Sequence, residues 1–163
     1  MQDEKKNTRS FPPMRDWPYY WISRVNAQYA LVLEQQLKPQ GINLSRWRVL
    51  SSLYEYGSLG VSEIADFAIL RLNTTTKVVQ KMAAEGLVKT QVSASDARIT
   101  QVSLTEEGRR QAVFARAVAQ KILEASFSDV SKADRERLNK TLDRVAMRLT
   151  AMSDGGPEPD DAG

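Results

Sequence analysis

Between Leu72 and Gly86 the chain reads LNTTTKVVQKMAAEG, and its small polar groups have chemistry to offer. Asn73, Thr74 and Thr76 carry amide and hydroxyl groups that exchange hydrogen bonds with base edges in a DNA major groove. Lys77 and Lys81 carry cations that meet bases or phosphates. At helical spacing Val78, Val79, Met82 and Ala83 share one face, and the polar residues with Gln80 take the other. Asn73 or Thr74 is the expected cap and Gly86 the expected stop. Taken alone, such a stretch is more often a solvated polar face, so its neighbours decide the reading.

After Gly86 the period of the pattern changes from helical to two. Leu87 to Val92 and Ile99 to Leu104 read as strands, with a turn-like Ser-Ala-Ser-Asp-Ala-Arg between them. Arg98 at the tip suits a narrow minor groove, where the potential attracts guanidinium, and Asp96 can hold that arginine or cap the turn. Upstream, Val61 to Ala68 reads as a short helix with Ser62 as its cap and Ile64, Ala65 and Ala68 inward. Helix, short connector and helix in this order form a helix-turn-helix, in which the first helix braces and the second reads. The connector, Ile69 to Leu72, lacks the usual glycine.

A second group of residues suits a flat organic ligand. Trp17, Tyr19, Tyr20 and Trp21 fall within five positions, and Arg24 follows one turn later. Tyr20, Trp21 and Arg24, with Trp47, could wall a pocket, and Arg24 could meet a ligand carboxylate or equally an acidic side chain. Interface packing by the aromatics explains the cluster equally well, and for Trp47 a core position is the plainer reading.

Other chemistry is narrowed by composition. The 163 residues include no cysteine and no histidine, which removes thiol nucleophiles, thiol redox sensing, histidine-based zinc sites and a histidine general base. No carboxylate pair is embedded in apolar sequence, where a shifted pKa would be expected. The chain is therefore not expected to be an enzyme, and no cofactor is expected. Net charge is +3; residues 1–10 carry +1 and residues 153–163 carry −4, so the body between carries about +6, a bias compatible with nucleic acid. No apolar run approaches membrane-spanning length, and a cytoplasmic location is expected.

These groups must be held by a mainly α scaffold with a small β-hairpin wing. Residues 1–16 read as a flexible arm. Residues 17–40 hold the first helix, starting near Asp16 with Pro18 in its first turn and Ile22, Val25, Tyr29, Val32 or Leu33, and Leu37 inward. Residues 41–104 form the DNA-binding domain, opened by a helix from Leu44 to Tyr56 that Asn43 caps and Gly57 ends. In that helix Leu44, Trp47, Leu50 or Ser51, and Leu53 or Tyr54 are inward, with Arg46 and Arg48 at outward or edge positions. Residues 105–152 hold two more helices, one capped by Thr105 and running to about Phe127, the other capped by Ser131. Leu138, Leu142, Val145, Leu149 and Met152 follow a heptad seam that needs a partner helix. A dimer built from the two chain ends would supply that partner, and with it two recognition helices for a two-fold DNA site. Residues 153–163 read as a disordered acidic tail.

In this order the elements resemble the MarR/SlyA family of bacterial transcriptional regulators. The resemblance rests on INLSRWRVL (Ile42–Leu50), VSEIADFA (Val61–Ala68), TKVVQKMAAEGLV (Thr76–Val88) and above all SDARITQVSLTEEGRR (Ser95–Arg110), where Asp96, Arg98, Leu104, Thr105 and Gly108 match the family's wing signature. It implies a homodimeric winged helix-turn-helix repressor of double-stranded palindromic operator DNA, released by a small effector, often phenolic or an aromatic acid. For this chain an aromatic acid or its thioester is expected. Carried over, Asn73, Thr74, Thr76 and Lys77 contact bases and nearby phosphates, Lys81 the backbone, and Arg98 the minor groove with Asp96 bracing it. The effector cleft draws on Tyr20, Trp21, Arg24 and Trp47. Two departures stand out: the proline common at the start of the family's recognition helix is Leu72 here, and the cysteine of the peroxide-sensing branch is absent. The alternative is a helical dimer used for protein interaction, with a degenerate winged helix.

Overall fold

A computed structural model describes residues 12–93 and 98–154. Asp96, most of the N-terminal arm and most of the acidic tail therefore lie outside the described residues. The elements run α1 (Pro18–Leu37), α2 (Leu44–Tyr56), β1 (Leu59–Gly60), α3 (Val61–Ala68), α4 (Leu72–Ala84), β2 (Val88–Val92), β3 (Thr100–Leu104), α5 (Glu106–Ser126) and α6 (Lys132–Ser153). The fold is mainly α with a small antiparallel sheet, as the pattern predicts.

Local chemistry explains most element boundaries. Pro18 sits in the first turn of α1, where a missing N–H costs nothing. Ahead of it, within the arm expected over 1–16, Met14–Asp16 make a 3-10 turn. That turn is tied down by two indoles: Trp17 donates to the Pro12 carbonyl at 3.1 Å and Trp21 to the Arg15 carbonyl at 2.8 Å. The Asn43 side chain accepts from the Arg46 N–H at 2.9 Å and so caps α2. The cap of α3 differs from expectation. Gly60, not Ser62, takes the cap position, and the Glu63 carboxylate reaches back to the Gly60 N–H at 2.7 Å. That is the return half of a capping box, in which the third helical residue accepts from the cap residue's own N–H; glycine has no side chain to make the other half.

The sheet has the order β1-β3-β2, all antiparallel, with Val88 opposite Leu104, Val92 opposite Thr100 and Leu59 opposite Val102. The second strand begins at Val88 and the third at Thr100, each one residue later than the alternation predicts. β1 is only two residues long, too short to show a period, and the sequence reading missed it.

The chain divides after Ile122 into two compact units. The core of the first unit collects Leu33 and Leu37 of α1, Val49, Leu50 and Leu53 of α2, Ile64 and Ala68 of α3, and Val79 and Met82 of α4. Ile42, Leu87, Val88, Val102, Ala112 and Ala115 complete most of it. Each fully buried Leu or Ile contributes roughly 1.5–3 kcal/mol relative to exposure. Ile22 and Val25, expected inward, are exposed. The helical period marks the apolar face of α1, but only its C-terminal half is laid against this core.

The second unit, from Leu123 onward, is dominated by α6. Its start is built as predicted: the Ser131 hydroxyl accepts from the Asp134 N–H at 3.1 Å. Lys132–Glu136 and Arg137–Asp134 ion pairs line its first turns. None of the 22 residues of α6 is buried, and Leu138, Leu142, Leu149 and Met152 of the predicted seam stand exposed.

Candidate nucleic-acid interface

The α4 helix divides sharply into two faces. Thr75, Val79 and Met82 are buried, while Asn73, Lys77, Gln80 and Lys81 are exposed and Thr74 and Thr76 are half-buried. Val78 and Ala83, expected in the core, pack only partly against it. Thr75 takes the inward place instead because its hydroxyl is satisfied locally, donating to the Arg71 carbonyl at 3.1 Å. Thr76 does the same with Leu72 at 2.9 Å. That hydroxyl keeps its lone pairs as acceptors and its methyl group as an apolar contact for thymine. The start of α4 corrects the capping expectation: Arg71 is the cap residue, its side chain makes no cap hydrogen bond, and Asn73 and Thr74 lie inside the helix. Their polar groups are thus carried at the helix N-terminus, where a recognition helix meets base edges.

Three contacts fix where α4 sits. The connector turns at Ile69, which adopts the left-handed conformation with φ 53° and ψ 51°. This is the place where glycine is usual, and its absence leaves a strained β-branched residue. The Arg48 guanidinium of α2 donates to the Ile69 carbonyl at 3.3 Å. At the other end, Arg46 of α2 pairs with Glu85, the cap residue closing α4, at 2.5 Å, and also donates to the Gly41 carbonyl at 3.2 Å. Finally, Thr105 locks α4 to α5. Its hydroxyl donates to the Gly86 carbonyl at 2.6 Å and accepts from the Gly108 N–H at 3.1 Å, while its own N–H bonds Leu87 at 3.0 Å. A Cβ on Gly108 would lie 1.9 Å from the Leu87 oxygen, so only glycine lets the two segments approach.

The wing is the hairpin of β2 and β3, closed by a bond from the Ser93 N–H to the Ile99 carbonyl at 2.8 Å. Arg98 is exposed at its tip, and Lys89, Thr90 and Gln91 are exposed along β2. Its proposed brace, Asp96, lies outside the described residues.

The aromatic group lies on α1. Tyr20 and Arg24 share an open groove of about 660 Å³ with Trp17 and Tyr19. The Arg24 guanidinium donates to the Tyr20 hydroxyl at 3.4 Å. Trp21 packs edge-on against Tyr20, with ring centroids 5.1 Å apart, and is not itself part of the lining. Trp47 packs against the core and does not line the groove. The structure therefore brings Tyr20 and Arg24 together, keeps Trp21 beside them and separates Trp47. Further along α1, Tyr29 is half-buried, and burial pushes its phenol above the usual 10.0, opposed by Arg48.

Comparison with known proteins decides what such an arrangement belongs to. The MarR family model matches residues 42–100. Over 137 residues the chain is 38% identical to the HTH-type transcriptional repressor IacR of Pseudomonas putida, covering 84% of this chain and 82% of that one. The chain belongs to the MarR family. Two solved structures share the MarR fold. CouR from Rhodococcus jostii RHA1, bound to p-coumaroyl-CoA, has a TM-score of 0.76 at 23% identity, covering 83% of this chain and 96% of that one. BpsR of Bordetella bronchiseptica, whose DNA binding is regulated by 6-hydroxynicotinic acid, has a TM-score of 0.69 at 18% identity, covering 78% and 97%. The chain is accordingly a DNA-binding transcriptional repressor of the MarR family, and no described helix is long and apolar enough to cross a membrane. Within it, the wing signature acquires a physical meaning. Its Thr and Gly, Thr105 and Gly108, fasten the end of the recognition helix. The sequence marks Thr105 as a helix cap and Gly108 only as a match; the bonds to Gly86 and Leu87 and the close approach at Gly108 depend on carbonyls of another element.

Proposed function

We propose that the chain acts in the cytoplasm as a homodimer that represses from a palindromic operator and is released by a small aromatic effector. The observation that carries the reading is α4, with Asn73, Thr74, Thr76, Lys77 and Lys81 outside a buried Thr75-Val79-Met82 face and an Arg98-tipped hairpin next in the chain. The polar face contacts bases and nearby phosphates, Lys81 the backbone, and Arg98 the minor groove with Asp96 bracing it. The exposed seam of α6 supports a dimer, since an unpartnered apolar stripe of that length needs a second helix. The groove of Tyr20 and Arg24 supports a flat acid: an aromatic wall with one cation matches a ring bearing a carboxylate or phenol, or its thioester. Two proteins of the same fold, CouR bound to p-coumaroyl-CoA and BpsR with DNA binding regulated by 6-hydroxynicotinic acid, support that ligand class. Release follows if the effector prefers a spacing of the recognition helices that mismatches the operator.

Binding of the purified protein to its own upstream DNA, at two salt concentrations and with a panel of aromatic acids, tests this. Specific, salt-sensitive binding that one acid abolishes is the expected result. Binding indifferent to every acid removes the effector assignment. No preference for upstream over scrambled DNA removes the operator assignment and turns the reading towards a protein-interaction dimer.

A further inference from the structure

The contacts that α2 makes with both ends of the recognition helix go beyond its core packing. We propose that Arg46 and Arg48 are positioning residues for operator recognition, Arg48 gripping the connector into α4 and Arg46 the end of α4. The inference rests on the operator reading above.

Three observations carry it. Glu85 closes α4 at its C-terminal end, where a carboxylate opposes the helix dipole and is unfavourable unless paired. Arg46 supplies the pair at 2.5 Å, and its side chain is only 12% exposed, so it is withdrawn from solvent and from any phosphate it might otherwise meet. The same guanidinium holds the Gly41 carbonyl in the turn between α1 and α2. One side chain therefore spans from that turn to the far end of the reading helix. Arg48, two residues on, donates to the carbonyl of Ile69, whose left-handed conformation sets the direction in which α4 leaves the connector. With both ends tied to α2, the axis of α4 is set by a packed helix rather than by the loops that flank it. Base readout needs that constraint, because a helix displaced by about 1 Å loses paired hydrogen bonds while keeping its general attraction to phosphates.

The sign of one substitution separates this role from simple electrostatics. Removing a negative charge from a DNA-binding surface strengthens binding to all DNA. If Glu85 positions α4 through Arg46, Glu85→Gln instead weakens operator binding.

The test uses the full chain, a duplex from its own upstream region and a scrambled duplex of the same length. Glu85→Gln, Arg46→Gln and Arg48→Gln are each expected to lose about tenfold in affinity for the upstream duplex. Affinity for the scrambled duplex and the dependence on salt stay as in the parent. The charge-reversed pair Arg46→Glu with Glu85→Arg is expected to recover most of the lost discrimination. Tighter binding of both duplexes by Glu85→Gln overturns the proposal. So does a salt slope lowered by about one in Arg46→Gln, which marks a phosphate contact. Equal loss on both duplexes with a lowered melting temperature also overturns it, because that marks a role in folding alone. A parent protein that fails to distinguish the two duplexes is a different failure, that of the operator reading itself.

Discussion

At the scale of single residues, chemistry and conformation make separate claims on α4 and its surroundings. Asn73 and Thr74 are base-reading candidates, so replacing either by alanine should relax discrimination at one operator position by roughly 1–3 kcal/mol, measured with single-base operator variants. Lys81→Ala should instead weaken binding to every sequence and lower the salt slope by about one. Arg98→Ala should reduce operator affinity, most for operators with narrow A·T-rich flanks; unchanged affinity on such flanks counts against the wing role. Ile69 answers to the backbone. A left-handed L-residue costs roughly 1–2 kcal/mol, and the side chain is 81% exposed, so little packing repays it. Ile69→Gly should raise stability by about 0.5–1 kcal/mol in urea unfolding, the strain relieved less the entropy of a free glycine. Tyr29 adds a pH dependence. Its folded pKa is raised above 10.0, so its contribution is complete below that pH and is lost as pH rises through the raised value. Tyr29→Phe should shrink the loss of melting temperature between about pH 8 and pH 11.

At the scale of elements, the informative feature is how the recognition helix ends. Thr105 caps α5 and at the same time bonds the Gly86 and Leu87 backbone, so one residue serves two elements. Thr105→Ala should cost about 1–2 kcal/mol, for the cap and the bond to Gly86 together. Gly108→Ala should cost more, about 3 kcal/mol or above, because the added methyl meets a backbone carbonyl that cannot rotate away. Denaturant unfolding of the two variants checks the ranking; equal costs would show that the α5 start shifts to admit a Cβ. The Leu-Thr-x-x-Gly pattern is legible as a helix start because Thr followed by two glutamates is a capping signal at any position. Its glycine is not, since helices disfavour glycine and only the neighbouring Leu87 carbonyl explains it.

At the scale of the whole molecule, α6 poses the clearest requirement. An amphipathic helix with no buried residue gains little from its own hydrogen bonds, so its apolar seam needs cover. On the homodimer reading, Leu142→Glu should convert the dimer to a monomer in light-scattering chromatography and weaken operator binding steeply, since two linked recognition helices bind far better than one. A variant that remains dimeric places the interface elsewhere.

What the order of residues determined by itself is substantial: a mainly α chain, a helix-turn-helix running into a hairpin, capped helices at Asn43, Thr105 and Ser131, and a polar, basic face on the reading helix. These are legible because each is a periodicity or a cap within one element. What only the tertiary structure decided lies between elements. Thr75 rather than Val78 is buried, Gly60 rather than Ser62 caps α3, and Trp47 is separated from the groove of Tyr20 and Arg24. The same holds for Arg46 on Glu85 and Arg48 on Ile69. Period and propensity report which face of an element is apolar, whereas these partners are distant in sequence and meet only when α2, α4 and the connector are packed together.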